Sequence, residues 1–342
     1  MKCSVVILNW NGLHHLQRFL GSVVDNTPPE FEIVVADNGS SDNSLDWVKD
    51  TYPRIRTICL DKNYGYAGGY NKALKQIDSE IFVLLNSDVT TPKGWIEPLI
   101  EKLDKHQDIA ALAPKILSEI EPTRFEYAGS AGGFIDIMGY PFCAGRIMES
   151  IEFDNGQYDN ISQVFWASGA CMVIRAEVFK RAGGFDADFF AHMEEIDLCW
   201  RIQAMGYKIA VENSCHVYHL GGGTLPQNNP RKLYLNYRNN LSMLFKNHRK
   251  RNLVWVIPTR LGFDMASAVI FCLQGHVDFS KAVLRAYRDF IKLLPALTRK
   301  RKAIKRLADH KCLGILKGSI VVQHMIYGKQ YFSQIKRLSQ IK

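Results

Sequence analysis

Short apolar segments alternate with helical patterns through the first 85 residues, and this alternation limits the possible folds more than any other feature. The apolar segments lie at residues 4–8, 32–36, 56–60 and 81–85. The intervening sequence predicts helices at 13–24, 44–51 and 68–77. Strands that are apolar on both faces and alternate with helices form a parallel sheet covered on both sides. The predicted fold class is therefore α/β, with a Rossmann-like, mostly parallel sheet flanked by helices.

Polar residues follow each predicted strand, where an open parallel sheet binds its ligands. The residues concerned are Asn9, Asn11, Asp37, Asn63, Asn86 and Asp88. A carboxylate such as Asp88 suits a Mg²⁺ ion whose other ligands are water and phosphate oxygens. Asp37 is placed to accept hydrogen bonds from a base or ribose. Turn formation and helix capping explain the same residue types equally well, so both interpretations stay open.

A glycine-rich segment follows the third strand and leads into a helix. It contains Asn63, Gly65, Gly68, Gly69 and Asn71. Glycines at the start of a helix let backbone N–H groups approach a phosphate. An ordinary loop with a capping glycine is the alternative.

Acidic and histidine residues between residues 190 and 220 are further candidates for catalysis or metal binding. Glu194, Glu195 and Asp197 fall in the first turn of a helix predicted at 194–205, where the helix dipole favours negative charge. One of them could instead act as a general base. His219 precedes a glycine-rich run and could complete a metal site with Asp88, with His216 as an alternative, although a single loop histidine is usually not a ligand.

Charge divides the chain near residue 230. Residues 231–342 contain 24 Lys and Arg against 4 Asp and Glu, a net charge of +20, whereas residues 1–230 carry −11. This predicts two parts: a catalytic domain at 1–230 and a basic, amphipathic helical region at 231–342, with helices at 231–247 and 280–310. The apolar stretch 253–273 contains Pro258, Arg260 and Asp264, which favour an interfacial or protein-buried helix over a membrane span.

Composition excludes several classes of protein. With 47% hydrophobic and 23% charged residues, the chain is not of the disordered or fibrous type. Its eight cysteines form no C-x-x-C pair, so neither a zinc cage nor a disulfide framework is predicted, and a reducing compartment is favoured. The start of the chain shows no secretion-signal pattern, so a cytoplasmic location is expected.

Ordered blocks of sequence resemble the family-two inverting glycosyltransferases of the GT-A fold, in particular the rhamnosyltransferase-like branch. The blocks are SVVILNWNG, VVADNGSSDNS, NYGYAGGYNKAL, VLLNSDV, WASGACMVIRAEVF, GGFDADFFAHMEEIDLCWRI and HVYHLGGGT, and they cover about residues 3–240. The resemblance implies an enzyme that moves a sugar, with rhamnose favoured, from a nucleoside-diphosphate sugar to a hydroxyl. It also implies a divalent cation, Mg²⁺ or Mn²⁺.

The resemblance also implies roles for individual residues. Asn9, Asn11, Asp37, Asn63, Gly68, Asn71, Asn86 and Asp88 would contact the nucleotide or donor. Asp88 and His219 would bind the metal, with Asn86 standing where the family pattern has its first acid. Glu195 occupies the usual aspartate position of the catalytic base and ranks ahead of Glu194 and Asp197. Trp166, Gly169 and Ala170 would shape the acceptor and sugar pocket.

Family members of this kind typically act on lipid-linked acceptors in bacterial surface polysaccharide synthesis. Combined with the basic helical region, this predicts a peripheral protein on the inner face of the plasma membrane that contacts an anionic surface, without nucleic acid as a partner. Two alternatives are a catalytically inactive sugar-nucleotide-binding protein and a nucleic-acid-binding protein. Sugar transfer that depends on a divalent cation would exclude the inactive protein. The absence of salt-sensitive DNA or RNA binding would exclude the nucleic-acid-binding protein.

Overall fold

The computed structural model describes residues 1–221, 229–307 and 312–335. Among these residues, two sheets and a set of helices are formed. The strands are β1 (Cys3–Asn9), β2 (Glu32–Asp37), β3 (Arg56–Cys59), β4 (Ile81–Asn86), β5 (Val89–Thr90), β6 (Ile109–Ser118), β7 (Gly133–Asp136), β8 (Pro141–Cys143), β9 (Arg146–Ile147), β10 (Ser150–Ile151), β11 (Gln163–Val164), β12 (Cys171–Arg175), β13 (Lys208–His219) and β14 (Ile315–Leu316).

The helices lie between these strands and beyond them. They are α1 (Leu13–Asn26), α2 (Ser44–Thr51), α3 (Gly65–Leu74), α4 (Glu97–Lys105), α5 (Ala176–Arg181), α6 (Glu194–Ala204), α7 (Pro230–Asn247), α8 (Lys250–Leu273), α9 (Val277–Leu307) and α10 (Ile320–Met325). Short 3₁₀ helices lie at Ala187–Phe189 and Phe332–Gln334. The helices predicted between the first strands, at 194–205 and at 231–247 are therefore confirmed, with small shifts at their ends. The helix predicted at 280–310 is confirmed as far as Leu307, and residues 308–310 lie outside the described residues.

The large sheet has the order β11-β13-β6-β12-β4-β1-β2-β3, with β5 paired to β13. Strands β3, β2, β1 and β4 run parallel, as predicted, and both faces of β1 and β4 are buried. Strands β6 and β13 run in the same direction as these four, so six of the nine strands share one direction and the sheet is mostly parallel, as predicted. Strands β5 and β11 run antiparallel to β13. Strand β12, between β4 and β6, is antiparallel to both. Residues 119–170 contain no helix that could carry the chain back across the sheet, as a parallel strand requires.

A small second sheet and the last described segment complete the same hydrophobic core. Strand β14 pairs with β7, and the Phe332 ring lies 5.2 Å from the rings of both Phe134 and Tyr158. Leu244 and Phe332 belong to one buried cluster with Val6 of β1. The predicted boundary at residue 230 therefore separates the charge of the chain but not its packing.

Ion pairs join the basic helices to the acidic part of the chain. Lys246 of α7 contacts Asp186 and lies 3.0 Å from Asp197. Lys300 of α9 also contacts Asp186 and lies 2.7 Å from Asp188. Part of the +20 charge is thus neutralised inside the protein, and the region is not a freely projecting basic tail.

Candidate active site

Polar side chains at the ends of β1, β2 and β4 lie side by side at one edge of the large sheet. In the parallel register Asn9 is opposite Asp37, and Leu8 is opposite Asn86. The Asn9 side-chain amide donates a hydrogen bond to the Asp37 carboxylate over 3.1 Å. The structure thus brings together the three strand ends that the sequence pattern singled out.

Asp37 is buried and is held by the turn that follows β2. Its carboxylate accepts hydrogen bonds from the Ser40 backbone N–H at 2.9 Å and from the Ser40 hydroxyl at 2.5 Å. Asn11, at a φ of 49°, accepts from the Ser41 backbone N–H at 2.7 Å and so joins the loops after β1 and β2. Oδ1 of Asn9 is buried and has no hydrogen-bond partner within the described ranges, which leaves an acceptor atom at this edge.

The glycine-rich start of α3 packs against the turn that precedes α6. Gly65 has a φ of +70°, and a Cβ atom there would lie 2.4 Å from the carbonyl oxygen of Phe190. The backbone N–H of Ala67 donates to that carbonyl at 3.1 Å. The Asn63 side chain accepts from the Gly65 N–H at 2.7 Å. Close packing of two chain segments therefore explains this glycine without a phosphate.

Asn71 and Gly68, both predicted to contact the donor, have partners inside the protein. The Asn71 amide donates to the Phe185 carbonyl at 2.8 Å and accepts from the Phe185 N–H at 2.9 Å. A Cβ atom at Gly68 would lie 3.0 Å from Cβ of Tyr64. Asn38, which the sequence pattern did not single out, accepts from the Tyr64 N–H at 3.0 Å. These residues shape the loops around the site rather than pointing free groups into it.

Asp88 and His219 form a buried pair at the sheet edge. Oδ1 of Asp88 lies 3.2 Å from Nε2 of His219, and the Asn86 amide lies 3.3 Å from the same nitrogen. The other ring nitrogen, Nδ1, lies 3.3 Å from a carboxylate oxygen of Glu126. Burial alone would lower the pKa of His219, but the charges of Asp88 and Glu126 raise it to about 10. Burial opposes the ionisation of Asp88 in turn, and the His219 charge nevertheless lowers the pKa of Asp88.

This arrangement fits a divalent cation that is completed by substrate. Oδ1 of Asp88 and Nε2 of His219 lie close enough to contact one ion, which would displace the proton from Nε2 because an imidazole binds a metal in its neutral form. Mg²⁺ commonly takes few protein ligands and fills its other positions with water and phosphate oxygens. Glu126 has the position of the carboxylate that orients a ligating imidazole through its second nitrogen. The described residues hold no group of three or more His, Cys, Asp or Glu that could bind a metal unaided.

The other histidine candidate has a different partner. His216 lies 3.0 Å from the Tyr218 hydroxyl, and the charges that act on it are those of Lys115 and Asp154. His219 is therefore the imidazole that the structure brings to Asp88. The glycine-rich run after it lies outside the described residues from Gly222 onward.

Helix α6 begins in a strained turn. Phe190, His192 and Met193 have φ values of 66°, 70° and 70°, which bulky residues rarely adopt. The buried side chain of Asn239 in α7 holds this turn in place. Its Nδ2 donates to the carbonyl oxygens of Phe189, Ala191 and His192 at 2.9, 2.8 and 2.8 Å. Sequence reasoning missed Asn239, because its partners are 47 to 50 residues away along the chain.

Two glutamates, Glu194 and Glu195, follow this turn directly. Oε2 of each is buried and finds no hydrogen-bond partner in the part of the chain that the structure describes. Burial raises the pKa of Glu195 to about 7. Burial, and then the charge of Glu195, raises the pKa of Glu194 well above its ordinary value. A desolvated carboxylate with an unbonded oxygen is suited to accept a proton near neutral pH.

Asp197, the third candidate base, has a different environment. Its fully buried carboxylate accepts hydrogen bonds from Nε of Arg201 at 2.9 Å and from the Asn247 amide at 2.7 Å. It also accepts one from Lys246 at 3.0 Å. This carboxylate is fully buried and paired with two cations, so the geometry gives Asp197 the role of fastening α6 to α7.

Tyr66 connects the two glutamates to the sheet edge. Its hydroxyl donates to the Gly169 carbonyl at 2.7 Å. Burial, followed by the charges of Tyr70 and the two glutamates, raises the pKa of Tyr66 well above its ordinary value. The neighbouring Ala170 carbonyl accepts from the Asn86 N–H at 3.0 Å. Gly169 and Ala170 therefore lie between the acidic turn and the Asp88 edge, which is consistent with a place in the substrate pocket.

Trp166 differs from the other two residues predicted for this pocket. Its indole is buried and donates to the Phe134 carbonyl at 2.9 Å. A Cβ atom at Gly133 would lie 2.1 Å from the indole ring. Trp166 therefore packs inside the core and supports the segment that carries Gly169 and Ala170.

Removing the Asn239 clamp should loosen the turn before the glutamates. In Asn239→Ala, the carbonyls of Ala191 and His192 lose this donor, while that of Phe189 still accepts from the Ala191 N–H and from Arg238. A buried polar group left unpaired costs about 1–3 kcal/mol. We expect the free energy of unfolding in urea to fall by about 3 kcal/mol. Asn252→Ala in α8 serves as the control. Unchanged unfolding of Asn239→Ala would show that the clamp carries no stability.

Comparisons with known proteins agree with this geometry. Residues 4–183 match the family described as Glycosyl transferase family 2. The N-acetylglucosaminyl-diphospho-decaprenol L-rhamnosyltransferase of Mycobacterium tuberculosis is 24% identical over 305 residues, which cover 85% of this chain and 97% of that protein. The low-salt glycan biosynthesis hexosyltransferase Agl10 of Haloferax volcanii is 25% identical over 205 residues, covering 58% of this chain and 60% of that protein.

Solved structures show the same fold. The Staphylococcus aureus TarS fragment 1–349 in complex with UDP-GlcNAc is 17% identical, with a TM-score of 0.56 over 97% of this chain and 93% of that chain. The Pyrobaculum calidifontis mannosyltransferase PcManGT, solved with GDP-Man and Mn²⁺, has a TM-score of 0.51 at 13% identity over 90% of this chain and 83% of that chain. Residues 4–183, which match the family described above, make up more than half of the sequence. The chain therefore belongs to glycosyl transferase family 2 and is a glycosyltransferase with the GT-A fold.

Proposed function

We propose that the protein is an inverting transferase that moves a sugar from a nucleoside-diphosphate sugar to an acceptor hydroxyl, with Glu195 as the base. The observation that carries this proposal is the pairing of two different carboxyl sites. Asp88 pairs with the His219 imidazole at 3.2 Å, whereas Glu195 lies desolvated in a strained turn with an unbonded oxygen. Two acids in such different surroundings often have different roles in one active site: one stabilises charge and the other transfers a proton.

In the proposed reaction, Glu195 accepts the proton of the acceptor hydroxyl while the hydroxyl oxygen attacks the anomeric carbon. The bond from that carbon to the diphosphate oxygen breaks in the same step, so the configuration inverts and the nucleoside diphosphate leaves. Asn9 and Asp37 would hold the nucleotide at the sheet edge. A divalent cation held by Asp88 and His219 would supply charge neutralisation for the leaving diphosphate.

The acceptor that we propose is a lipid-linked glycan, in the synthesis of a cell-surface polysaccharide. The mycobacterial relative is an L-rhamnosyltransferase that takes its name from N-acetylglucosaminyl-diphospho-decaprenol, a lipid-linked sugar. The +20 charge of residues 231–342 supports a peripheral position on the inner face of the plasma membrane, where such an acceptor would be reached.

A panel of nucleotide sugars tests the proposal directly. The purified protein is incubated with UDP-, GDP- and dTDP-sugars and a polyprenyl-diphosphate-linked acceptor, with Mg²⁺, with Mn²⁺ or with a chelator. We expect transfer from one donor, with a rhamnosyl donor tested first, loss of transfer with the chelator, and an inverted anomeric configuration in the product. A product that retains the donor configuration would contradict the single-displacement mechanism.

The raised pKa of Glu195 predicts a pH dependence. The base works only when ionised, and burial raises the pKa of Glu195 from its ordinary value of 4.5 to about 7. We therefore expect kcat/KM to rise with pH and to level off above about 7, because this parameter reports groups of the free enzyme. The residual rate of Glu195→Gln should lack this step. A midpoint near 4.5 in the wild-type enzyme would show that the carboxylate is solvated.

A further inference from the structure

The outward face of α8 carries no charged side chain over about six turns. Between residues 252 and 273 the charged residues are Arg260 and Asp264, and both are buried. The exposed apolar side chains are Val254, Trp255, Leu261, Val269, Ile270 and Leu273, referred to below as the α8 outer face. A helix that faces water normally has the opposite arrangement, with its charges outward and its apolar stripe buried.

The polar middle of α8 is fastened to the rest of the protein. Arg260 donates to the Met138 carbonyl at 2.9 Å and to the Asn240 side chain at 2.7 Å. It also pairs with Asp264 at 3.3 Å, and Asp264 accepts a hydrogen bond from the Tyr287 hydroxyl of α9 at 2.7 Å. By length and composition α8 could cross a membrane, the one such helix in the described ranges. Crossing would pull these buried groups from their partners, so α8 is suited to lie along a surface.

Basic side chains are exposed on α9, the helix that packs against α8. On α9, the exposed apolar residues Leu284 and Ile291 are interspersed with the exposed cations Lys281, Arg285, Arg288 and Lys292. Arg251 is exposed in the first turn of α8. A second copy of this chain would bring an equally basic region against this one and be repelled. An anionic bilayer instead offers hydrocarbon for the apolar side chains and phosphates for the cations.

We propose that the α8 outer face inserts shallowly into an anionic bilayer, with the cations of α9 at the level of the lipid phosphates. The inference deepens the proposed membrane position and depends on it, but it does not depend on the transfer reaction. It also assigns the contact to one helix face, whereas charge alone points only to the whole region 231–342.

Flotation with lipid vesicles tests this assignment. The full-length protein is mixed with vesicles of phosphatidylcholine alone or with phosphatidylglycerol, without nucleotide sugar or glycan acceptor. We expect binding to the anionic vesicles, and a loss of about tenfold or more in the double variant Val269→Glu, Leu273→Glu, since charge at an inserted face is strongly disfavoured. Ile120→Glu, which changes an exposed apolar residue outside this face, is the matched control. Equal binding by the double variant and the control would overturn the proposal.

Two further measurements distinguish shallow insertion of the α8 outer face from a membrane-spanning helix and from contact with a second copy of the chain. Bound protein should be released by alkaline carbonate, whereas resistance to this extraction would show a spanning helix and overturn the shallow geometry. Wild-type and double-variant proteins should have the same sedimentation coefficient, while a wild-type dimer that the double variant abolishes would assign the face to a second copy. If the protein binds anionic vesicles but transfers no sugar in the nucleotide-sugar panel described above, the proposed reaction is contradicted and the membrane assignment is still supported.

Discussion

Glu195→Gln is expected to lower kcat for sugar transfer by about 10²- to 10⁴-fold, the range in which a general base contributes. The substitution keeps the size of the side chain and removes its ability to take a proton. Because Glu195 follows a turn held by Asn239 rather than by its own carboxylate, the fold should be preserved. Nucleotide binding occurs at the Asp37 and Asp88 edge in our proposal, so the Kd of the nucleoside diphosphate should not change.

The neighbouring acids supply the controls for this prediction. Glu194→Gln should retain far more transfer activity than Glu195→Gln if Glu195 is the base. Asp197→Asn should instead lower the free energy of unfolding, by about 3–5 kcal/mol, because Arg201 and Lys246 lose the charge that compensates them. Steady-state kinetics and urea unfolding of the three variants distinguish these outcomes. Normal turnover by Glu195→Gln would remove Glu195 from the catalytic role.

Local sequence patterns predicted the parts of this site that depend on strand ends. A parallel strand delivers its last residue to a known edge, so Asn9, Asp37 and Asn86 could be placed together without coordinates. The acidic helix start was equally visible, because Glu194 and Glu195 precede a buried helical stripe. These inferences needed only the period of the apolar residues and the direction of the chain.

Contacts between distant segments could not be predicted in the same way. Asn239 and Glu126 lie far along the chain from the groups that they hold, and neither stands in a pattern that differs from an ordinary helix or loop. Local pattern was also ambiguous for Asn71 and Gly65, whose residue types suit a ligand loop. The structure engages both in tight packing against the segment at 185–190. Whether such a residue binds a ligand or packs inside the protein is decided by its contacts in the folded chain and not by its residue type.

The division at residue 230 shows a related limit. Charge changes sharply there, and in sequence this suggests two independent units. In the folded chain Lys246 and Lys300 are paired with acids of the first part, and Phe332 fills its core. Two segments of opposite net charge can therefore pack against each other, so a change of charge along the sequence does not by itself indicate a domain boundary.

Asp88→Asn is expected to weaken divalent-cation binding by about tenfold or more and to lower kcat by about 10²- to 10³-fold. The amide has nearly the same shape but no negative charge, so the site loses the charge that lies 3.2 Å from Nε2 of His219. Mn²⁺ binding can be followed by electron paramagnetic resonance, with and without nucleoside diphosphate, independently of turnover. Asp108→Asn, which alters an exposed acid paired with Lys208 just before β6, is the matched control and should change neither quantity.

Glu126→Gln refines this test, because Glu126 is not expected to touch the ion. The Gln side chain keeps a hydrogen-bonding oxygen near Nδ1 of His219 but removes the charge. We therefore expect Glu126→Gln to weaken Mn²⁺ binding by about tenfold, the lower end of what outer-shell changes cause, and Asp88→Asn to weaken it more. If Asp88→Asn binds Mn²⁺ as well as wild type while transfer is lost, Asp88 acts on the substrate directly and the proposed cation site is wrong.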